Sequence, residues 1–326
     1  MAKVFVTRRL PQAGMDMIES AFDVDVWEGD MPPPYETLLE RVTGVDGLLC
    51  LLTDKIDGQL MDAAGEQLKV ISQMAVGVDN VDIAAATERG IPVGNTPGVL
   101  TDATADLTWA LLTGAARRVV ESDKFTRSGE WKTWLPMGLL GADIGGATLG
   151  IVGFGRIGQA VARRALGFNM RILYYNQGKS YPELDKELNA KSVDLKTLLA
   201  ESDYVSLHTP LTDNTYHLIS SDELKQMKSS AILINTARGG VVDPTALYHA
   251  LIDGEIAYAG LDVTEPEPIN MDSPLLELDN IIILPHIGSA SISARTKMAT
   301  MSADNLIAGI RGDTLPNCVN PSIYTE

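Results

Sequence analysis

Cysteine, histidine and positive charge are all scarce in this sequence. Of 326 residues only two are cysteines and four are histidines, and 26 Lys and Arg face 43 Asp and Glu, for a net charge of -17. Two distant cysteines exclude a disulfide framework and are typical of a reducing cytoplasm. The acidic balance repels phosphate backbones and anionic membrane surfaces, so we expect neither nucleic acid nor a membrane as partner.

Long apolar runs are missing as well. No stretch approaches the roughly 18 apolar residues that a membrane span needs. The N-terminal residues MAKVFVTRRL carry charges where a secretory signal is apolar, so we expect no signal peptide. The rest of the composition is ordinary, with 45% hydrophobic and 21% charged residues, and the length suits two domains. We therefore expect a cytoplasmic globular protein, and we predict no metal ion.

Short apolar runs alternate with helical patterns in two separate sets, which favours parallel sheets. The first set predicts strands at 3–7, 47–52, 68–74 and 91–94, with helices at 11–22, 35–42 and 81–89. The second predicts strands at 148–152, 170–175, 204–207, 231–235, 257–262 and 281–284. A helix over 102–128, a loop-like arm over 130–146 and a final helix over 292–310 complete the chain. We predict an α/β protein with two Rossmann- or flavodoxin-like, doubly wound parallel-sheet domains, residues 1–100 plus 288–326 and residues 101–287.

Residues 148–158 read as an apolar strand that enters a glycine-rich turn. Gly153, Gly155 and Gly158 have the G-x-G-x-x-G spacing, and a helical pattern follows over 156–166. The first glycine allows the tight turn, the second lets a pyrophosphate approach the backbone, and the third lets helix and strand pack closely. The helix then points its positive end at the anion. The sequence therefore predicts a dinucleotide site in the second domain.

An acidic residue usually follows such a turn by about 20 positions and binds the adenosine ribose. Here the next strand ends in Asn176, which neither holds the ribose hydroxyls as a carboxylate does nor repels a 2′-phosphate. Lys179 follows closely and could offer a cation. We therefore expect NAD(P)H as the cofactor, with a preference for NADPH or with dual specificity. Two alternatives stay open: Lys179 is simply solvated, or a neighbour such as Glu183 replaces the missing carboxylate.

Three functional side chains follow three predicted strands. Arg238 lies in NTARGG, Glu267 in DVTEPEP and His286 in LPHIGS. Ligands of such sheets bind outside the carboxyl ends of the strands, so these groups can converge. A guanidinium binds a carboxylate with two parallel hydrogen bonds, and a histidine exchanges protons near neutral pH. Alone, each residue has a more ordinary explanation as a surface charge, a solvated turn or a structural histidine. His217 and His249 are expected to be ordinary helix or loop residues.

Several motifs occur together in this chain: GFGRIG, HTPLT, NTARGG, LDVTEPEP and LPHIGSA. In these motifs the chain resembles the D-isomer-specific 2-hydroxyacid dehydrogenases, most closely the glyoxylate/hydroxypyruvate reductases. The resemblance implies that Arg238 binds the substrate carboxylate and polarises its keto oxygen. It implies that His286 is the general acid and that Glu267 orients it. It also implies an active site in a cleft between a substrate domain, the first, and a dinucleotide domain, the second.

Further roles follow from the resemblance alone. It implies backbone amides of Val76 and Gly77 that hold the substrate carboxylate, and a pocket wall at Leu51 or Leu52, for which plain core packing is the alternative. It also implies a homodimer in which Trp134 of an arm reaches the partner's active site, although Trp131 and Trp134 could merely pin the arm. Asp262 is expected to meet the nicotinamide amide. The other implied cofactor contacts are Thr104, Arg156, Ile157, His208, Pro210, Thr215 and Ala237.

The chain departs from several relatives of that family. Phosphite dehydrogenases place a lysine where Val76 stands, and formate dehydrogenases place a glutamine where Glu267 stands. We predict NAD(P)H-dependent reduction of small 2-keto acids to D-2-hydroxy acids, with glyoxylate and hydroxypyruvate as substrates. A 3-phosphoglycerate dehydrogenase-like enzyme remains an alternative. So does a dinucleotide-sensing protein like the transcriptional corepressors, which keep a similar triad.

Overall fold

The computed structural model describes residues 1–325 and divides into two compact units. Residues 1–100 and the residues from Ala290 onward form the first unit, and Thr101–Ser289 form the second. Within the described residues, no helix combines the length and apolar character that crossing a membrane requires.

Twelve strands and twelve α-helices occur over residues 1–325. The strands are β1 Lys3–Val6, β2 Asp23–Val26, β3 Gly47–Cys50, β4 Val70–Gln73, β5 Val93–Gly94, β6 Thr148–Val152, β7 Arg171–Tyr175, β8 Ala190–Ser192, β9 Tyr204–Leu207, β10 Ile232–Asn235, β11 Tyr258–Leu261 and β12 Ile281–Ile283. The helices are α1 Gln12–Ala21, α2 Tyr35–Arg41, α3 Gly58–Ala64, α4 Ile83–Glu88, α5 Thr101–Ala116, α6 Val119–Arg127, α7 Arg156–Ala165, α8 Pro182–Glu187, α9 Leu195–Glu201, α10 Ser221–Gln226, α11 Pro244–Ile252 and α12 Ile292–Arg311.

The first unit is a five-stranded sheet in the order β2-β1-β3-β4-β5, and its strand pairs are parallel. This is the flavodoxin-like strand order. Strands β3 and β4 are buried throughout, because both faces of the sheet are covered there. The last helix, α12, packs on α1 and on β3 and β4, where Gly309 lies against Val70.

The second unit is a seven-stranded sheet in the order β12-β11-β10-β9-β6-β7-β8, again with parallel pairs. The strand order reverses between β6 and β9, which is the switch point where such sheets bind ligands. Successive side chains of one strand face opposite sides. Ile232 and Ile234 accordingly join the core beneath α5 and α7, and Leu233 joins the core beneath α9, α10 and α11. The prediction of two doubly wound parallel-sheet units is confirmed.

The predicted single helix over 102–128 is wrong, because the chain breaks between α5 and α6. Arg118 takes a left-handed conformation with φ 51°, which ends the helical run. Its guanidinium is bound to Glu121 by hydrogen bonds of 2.8 and 2.6 Å, and its backbone N–H donates to Ala115. The helical composition on both sides hid the break, since arginine carries no turn signal.

Six short elements were not predicted from the sequence: β2, β8, α3, α8, α9 and α10. The two strands lie at sheet edges, are short and contain charged or polar residues, so they lack a long apolar run. Helix α3 begins with a glycine, and Asp57 caps it by accepting the N–H of Leu60 at 3.0 Å. By contrast the sequence itself predicts α11, since Asp243 can cap a helix, Pro244 suits its first position and Gly254 can end it, and the helix forms between them. Asp243 accepts the N–H groups of Thr245 and Ala246, and the turn after it contains Gly254 at φ 70°.

Candidate active site

The three predicted catalytic residues follow three neighbouring strands of the second unit. β10, β11 and β12 are adjacent and parallel, so their carboxyl ends lie at one edge of the sheet. Arg238 follows β10, Glu267 follows β11 and His286 follows β12. The strand order therefore brings to one edge residues that are far apart in the sequence.

Glu267 and His286 are in direct contact. Nδ1 of the imidazole donates a hydrogen bond to Oε1 of Glu267. The Glu267 side chain is 33% exposed and the His286 side chain is 27% exposed. The carboxylate thereby fixes the ring's orientation and leaves Nε2 as the nitrogen that can face a reactant. His286 is in the left-handed region at φ 54°, which turns the chain sharply after β12.

A buried carboxylate holds that sharp turn. The two oxygens of Asp262 accept the backbone N–H groups of Ile287 and Gly288, each at 2.7 Å, and its carbonyl accepts the N–H of His286 at 2.9 Å. Burial raises the pKa of Asp262, and the two amide donors oppose that rise. Asp262 therefore supports the His286 loop, and the predicted contact with a nicotinamide amide stays a prediction.

Arg238 sits in a turn that a buried asparagine organises. Nδ2 of Asn235 donates to the carbonyl of Arg238 at 2.8 Å, and Oδ1 accepts the N–H of Ala237 at 3.0 Å. Nη1 of Arg238 donates to the carbonyl of Ala237 at 2.7 Å. Asn235 was not among the predicted site residues, although its place as a polar residue at the end of an apolar strand was the available signal.

A second glutamate–histidine pair lies in the same region. Nε2 of His217 is 2.6 Å from Oε2 of Glu265, which is two residues before Glu267. The ring of Tyr216 stacks on His217 with the centroids 4.0 Å apart, and Oδ2 of Asp243 is 4.0 Å from Nδ1 of His217. Sequence reasoning treated His217 as an ordinary residue because its partner is 48 positions away in the chain.

The glycine turn of the second unit has the shape that a dinucleotide requires. Gly153 has φ 93°, and a β-carbon there would lie 2.6 Å from the backbone carbon of His208. A β-carbon at Gly158 would overlap the carbonyl oxygen of Gly153, so helix α7 and the turn are in close contact. Around Gly155 no atom would meet a β-carbon within 4 Å. The open backbone at Gly155, followed by the N-terminus of α7 at Arg156 and Ile157, fits a pyrophosphate.

Asn176 braces this turn from the end of β7. Its Oδ1 accepts the N–H of Phe154 at 3.2 Å, and its Nδ2 donates to the hydroxyl of Tyr181 at 3.4 Å. Lys179 is exposed in the loop that follows, and Glu183 lies in the first turn of α8. The side chain predicted to face the ribose therefore also supports the glycine turn.

His208 is a neutral histidine beside the same turn. Its Nε2 shares a 2.8 Å hydrogen bond with the hydroxyl of Ser206, and its Nδ1 is shielded from solvent with no hydrogen-bond partner among residues 1–325. Burial lowers the pKa of His208 to about 3. It is therefore a neutral imidazole at neutral pH, with one ring N–H, and does not supply the proton of an imidazolium acid.

The remaining predicted cofactor residues lie near these elements. The hydroxyl of Thr215 donates to the carbonyl of Pro210 at 2.6 Å, which closes the loop after β9. Thr104 is buried in α5, and a β-carbon at Gly288 would lie 3.4 Å from its methyl group. Thr104 thus borders the His286 loop, while Thr215 and Pro210 form a separate turn.

The predicted substrate residues of the first unit follow β3 and β4. Leu51 is half-buried, and Asp54 accepts its N–H at 2.8 Å. Val76 is 37% exposed, and its carbonyl accepts a hydrogen bond from Asn95 at 2.8 Å. The carbonyl of Gly77 accepts a longer one from Gln73 at 3.4 Å. The structure thus gives these loops a fixed backbone, and their contact with substrate stays a prediction.

The arm over residues 130–146 forms neither helix nor strand and carries exposed indoles. Trp131 is 64% exposed and Trp134 is 80% exposed. Neither indole is buried against its own chain, so packing within the chain does not account for them. Residues 1–325 hold no group of three His, Cys, Asp or Glu side chains that could bind a metal ion.

A glycine turn beside the switch point and an Arg, Glu and His set at three adjacent strand ends define a nicotinamide-dependent oxidoreductase. The chain belongs to the D-isomer specific 2-hydroxyacid dehydrogenase family, whose NAD binding domain matches residues 109–288. It is 54% identical to a glyoxylate reductase from Korarchaeum cryptofilum, over 98% of this chain and 96% of that one.

Solved structures agree in fold. The TT0316 protein from Thermus thermophilus has 50% identity and a TM-score of 0.91, covering 97% of this chain and 99% of its own. An NADPH-dependent glyoxylate/hydroxypyruvate reductase from Sinorhizobium meliloti, in complex with NADP and malonate, has 30% identity and a TM-score of 0.86. That structure covers 98% of this chain and 96% of its own.

Proposed function

We propose that this protein reduces glyoxylate and hydroxypyruvate to the corresponding 2-hydroxy acids, producing D-glycerate in the second case, with NAD(P)H as the reductant. The observation that carries the proposal is the Glu267–His286 hydrogen bond at the strand edge that also bears Arg238. The 54% identity to a glyoxylate reductase over nearly the full length supports the substrate class.

The proposed chemistry divides among the three residues. Arg238 binds the substrate carboxylate through two parallel hydrogen bonds and polarises the keto oxygen. Nε2 of His286 delivers a proton to that oxygen, while Glu267 on Nδ1 holds the ring in position. The cofactor, when bound, supplies the hydride to the carbonyl carbon. The glycine turn and the N-terminus of α7 hold its pyrophosphate.

We further propose that the enzyme uses NADPH or accepts both cofactors. Asn176 supplies no carboxylate to repel a 2′-phosphate, and Lys179 is close behind it in the chain. The Sinorhizobium meliloti relative, described as NADPH-dependent, is consistent with this preference.

The remaining proposals concern the division of labour and assembly. The first unit binds the substrate through Leu51, Val76 and Gly77, and the second binds the dinucleotide. Two copies pair through the arm, whose exposed Trp134 contributes to the partner's site. The cysteine usage supports a cytoplasmic location.

Initial rates of NADH and NADPH oxidation test the function. Glyoxylate, hydroxypyruvate, pyruvate and 3-phosphohydroxypyruvate are each supplied with each cofactor. The proposal expects the highest kcat/KM for the first two substrates. Preference for 3-phosphohydroxypyruvate would point to the phosphoglycerate dehydrogenase-like alternative. Tight dinucleotide binding without turnover would point to a corepressor-like protein.

A further inference from the structure

The loop after β11 carries two glutamates that contact two different histidines. Glu265 and Glu267 are separated by Pro266, and each carboxylate is bound to one imidazole, His217 and His286 respectively. The proposed mechanism uses the second pair only. The His217–Glu265 pair has no assigned role. It nevertheless fixes Glu265, which is two residues before Glu267, the carboxylate that orients His286.

His217 is also tied to the turn that carries Arg238. Its backbone N–H donates to the carbonyl of Gly240 at 2.8 Å, and two residues on, Ile219 bonds to Val241 and pairs in parallel with Val242. His217 itself is left-handed at φ 48°, so the backbone turns there and sends the ring toward Glu265. One residue therefore bonds with its backbone to the Arg238 turn and with its side chain to the glutamate loop.

The same turn and loop touch directly. A β-carbon at Gly239 would overlap the carbonyl oxygen of Thr264, so the residue after Arg238 lies hard against the residue before Glu265. Such close contact has little tolerance for displacement. The His217–Glu265 hydrogen bond lies where it can hold the Glu265–Glu267 loop against the Arg238 turn.

The surroundings of His217 suit support better than proton delivery. Its Nε2 is occupied by Glu265, its Nδ1 faces Asp243 at 4.0 Å, and one face of the ring is covered by Tyr216. Both ring nitrogens thus face carboxylates of the protein. Nε2 of His286, by contrast, is not engaged by Glu267.

We propose that His217 is a positioning residue, which holds the Glu265–Glu267 loop against the Arg238 turn and so keeps Glu267 in place on His286. The inference rests on the proposed function for its kinetic consequences, because Glu267 and His286 are the groups that the loop sets in position. Its structural consequence, the Glu267–His286 hydrogen bond, can be measured without any substrate.

The direct test observes the ring nitrogens of His286 by ¹⁵N NMR in the protein labelled at histidine, which has only four histidines per chain. His217→Leu removes the hydrogen bond to Glu265 and keeps an apolar side chain of similar length. His217→Gln restores an N–H donor on the same left-handed backbone. We expect the Nδ1 resonance of His286 to lose its hydrogen-bonded shift in the leucine variant and to regain most of it in the glutamine variant. An unchanged His286 resonance in His217→Leu would overturn the inference.

Kinetics give the second readout. His217→Leu should lower kcat for glyoxylate by about 10-fold, because small displacements of an orienting group are costly, while the NADPH Kd changes less than about twofold. In a His286→Asn background the same change should cause no further loss, since His217 acts through that pair. Equal losses in both backgrounds would contradict the inference.

Two controls separate positioning from general damage. His249→Leu removes an exposed histidine of α11 in the same unit and should leave kcat unchanged. Glu265→Ala removes the acceptor of the pair from the other side and should resemble His217→Leu, which gives a second variant if the leucine protein does not fold. If the wild-type protein reduces no keto acid, the proposed function fails, and the NMR result still decides the role of His217.

Discussion

The carboxyl edge of the seven-stranded sheet has two halves that use different chemical groups. In the half formed by β10, β11 and β12, long polar side chains follow the strands, and Glu267 and His286 bond to each other. In the half formed by β9, β6 and β7, the turn is built on glycine. There the polar side chains bond back to the protein, Asn176 to the glycine turn and His208 to Ser206.

The difference follows from what each half has to bind. Proton transfer requires one titratable group at one atom, so the side chain itself is indispensable. A pyrophosphate is held by backbone N–H groups and a helix N-terminus, which any residue can supply if the turn has the right shape. Side-chain substitutions should therefore be severe in the first half and mild in the second.

The largest effect is expected for His286→Asn. This change removes the acid and keeps a polar side chain that tolerates the left-handed backbone at this position. We expect kcat for glyoxylate to fall by roughly 100- to 10,000-fold, the range that general acid–base catalysis contributes. NADPH binding, followed by fluorescence titration, should be unaffected. Turnover that survives within about tenfold of wild type would show that the proton comes from another group.

Arg238→Ala should be the next most severe. The loss of the guanidinium removes both the carboxylate clamp and the polarisation of the keto oxygen, so we expect KM to rise and kcat to fall. The combined loss in kcat/KM should be roughly 100- to 1,000-fold, comparable to removing an oxyanion donor. Arg238→Lys is the matched control. It keeps the charge without the planar fork and should recover only part of the loss. A normal KM in the alanine variant would contradict the role of Arg238.

The sequence predicted which side chains follow the strands of the first half, but not the contacts that support them. Arg238, Glu267 and His286 each follow an apolar strand, and parallel pairing alone brings the strand ends together. The supporting contacts could not be predicted. The hydrogen bond of His217 to Glu265 depends on the left-handed backbone at His217 and on the close contact of Gly239 with Thr264. The hydrogen bonds of Asp262 to the His286 loop depend on the burial of Asp262. Both arise from tertiary packing, which no local pattern encodes.

The break between α5 and α6 shows the same limit within secondary structure. Residues on both sides of Arg118 favour helix, and only the left-handed backbone at that position, bonded to Glu121, separates the two segments. Local propensity is a weak guide where a side-chain contact decides the backbone.

In the second half of the edge, Asn176→Asp should change selectivity rather than rate. A carboxylate at this position binds the ribose hydroxyls of NADH and repels the 2′-phosphate of NADPH. We expect the ratio of kcat/KM for NADH over NADPH to rise by about 10-fold, the effect of roughly 1.4 kcal/mol. Because Oδ1 of Asn176 accepts the N–H of Phe154, the aspartate can keep that bond. Asn176→Ala loses it and serves as the control for damage to the turn. An unchanged ratio in the aspartate variant would place cofactor selectivity elsewhere in the loop.

The smallest effect is expected at His208, and it concerns stability. Burial lowers the pKa of His208 to about 3, whereas an unfolded histidine titrates near 6.5. Below about pH 6.5 the unfolded chain binds a proton that the folded chain refuses, so this residue reduces the free energy of unfolding as the pH falls toward about 3.

His208→Gln should remove that penalty and leave the pH dependence of kcat unaltered in form. Between about pH 8 and pH 5, urea unfolding should show a drop in stability smaller than wild type by about 1–2 kcal/mol. His249→Gln, at an exposed histidine, should show the wild-type drop. An equal drop in His208→Gln would mean that His208 takes up its proton in the folded state. His208 would then be charged in the folded protein at acidic pH, and the second half of the edge would also contain a titrating side chain.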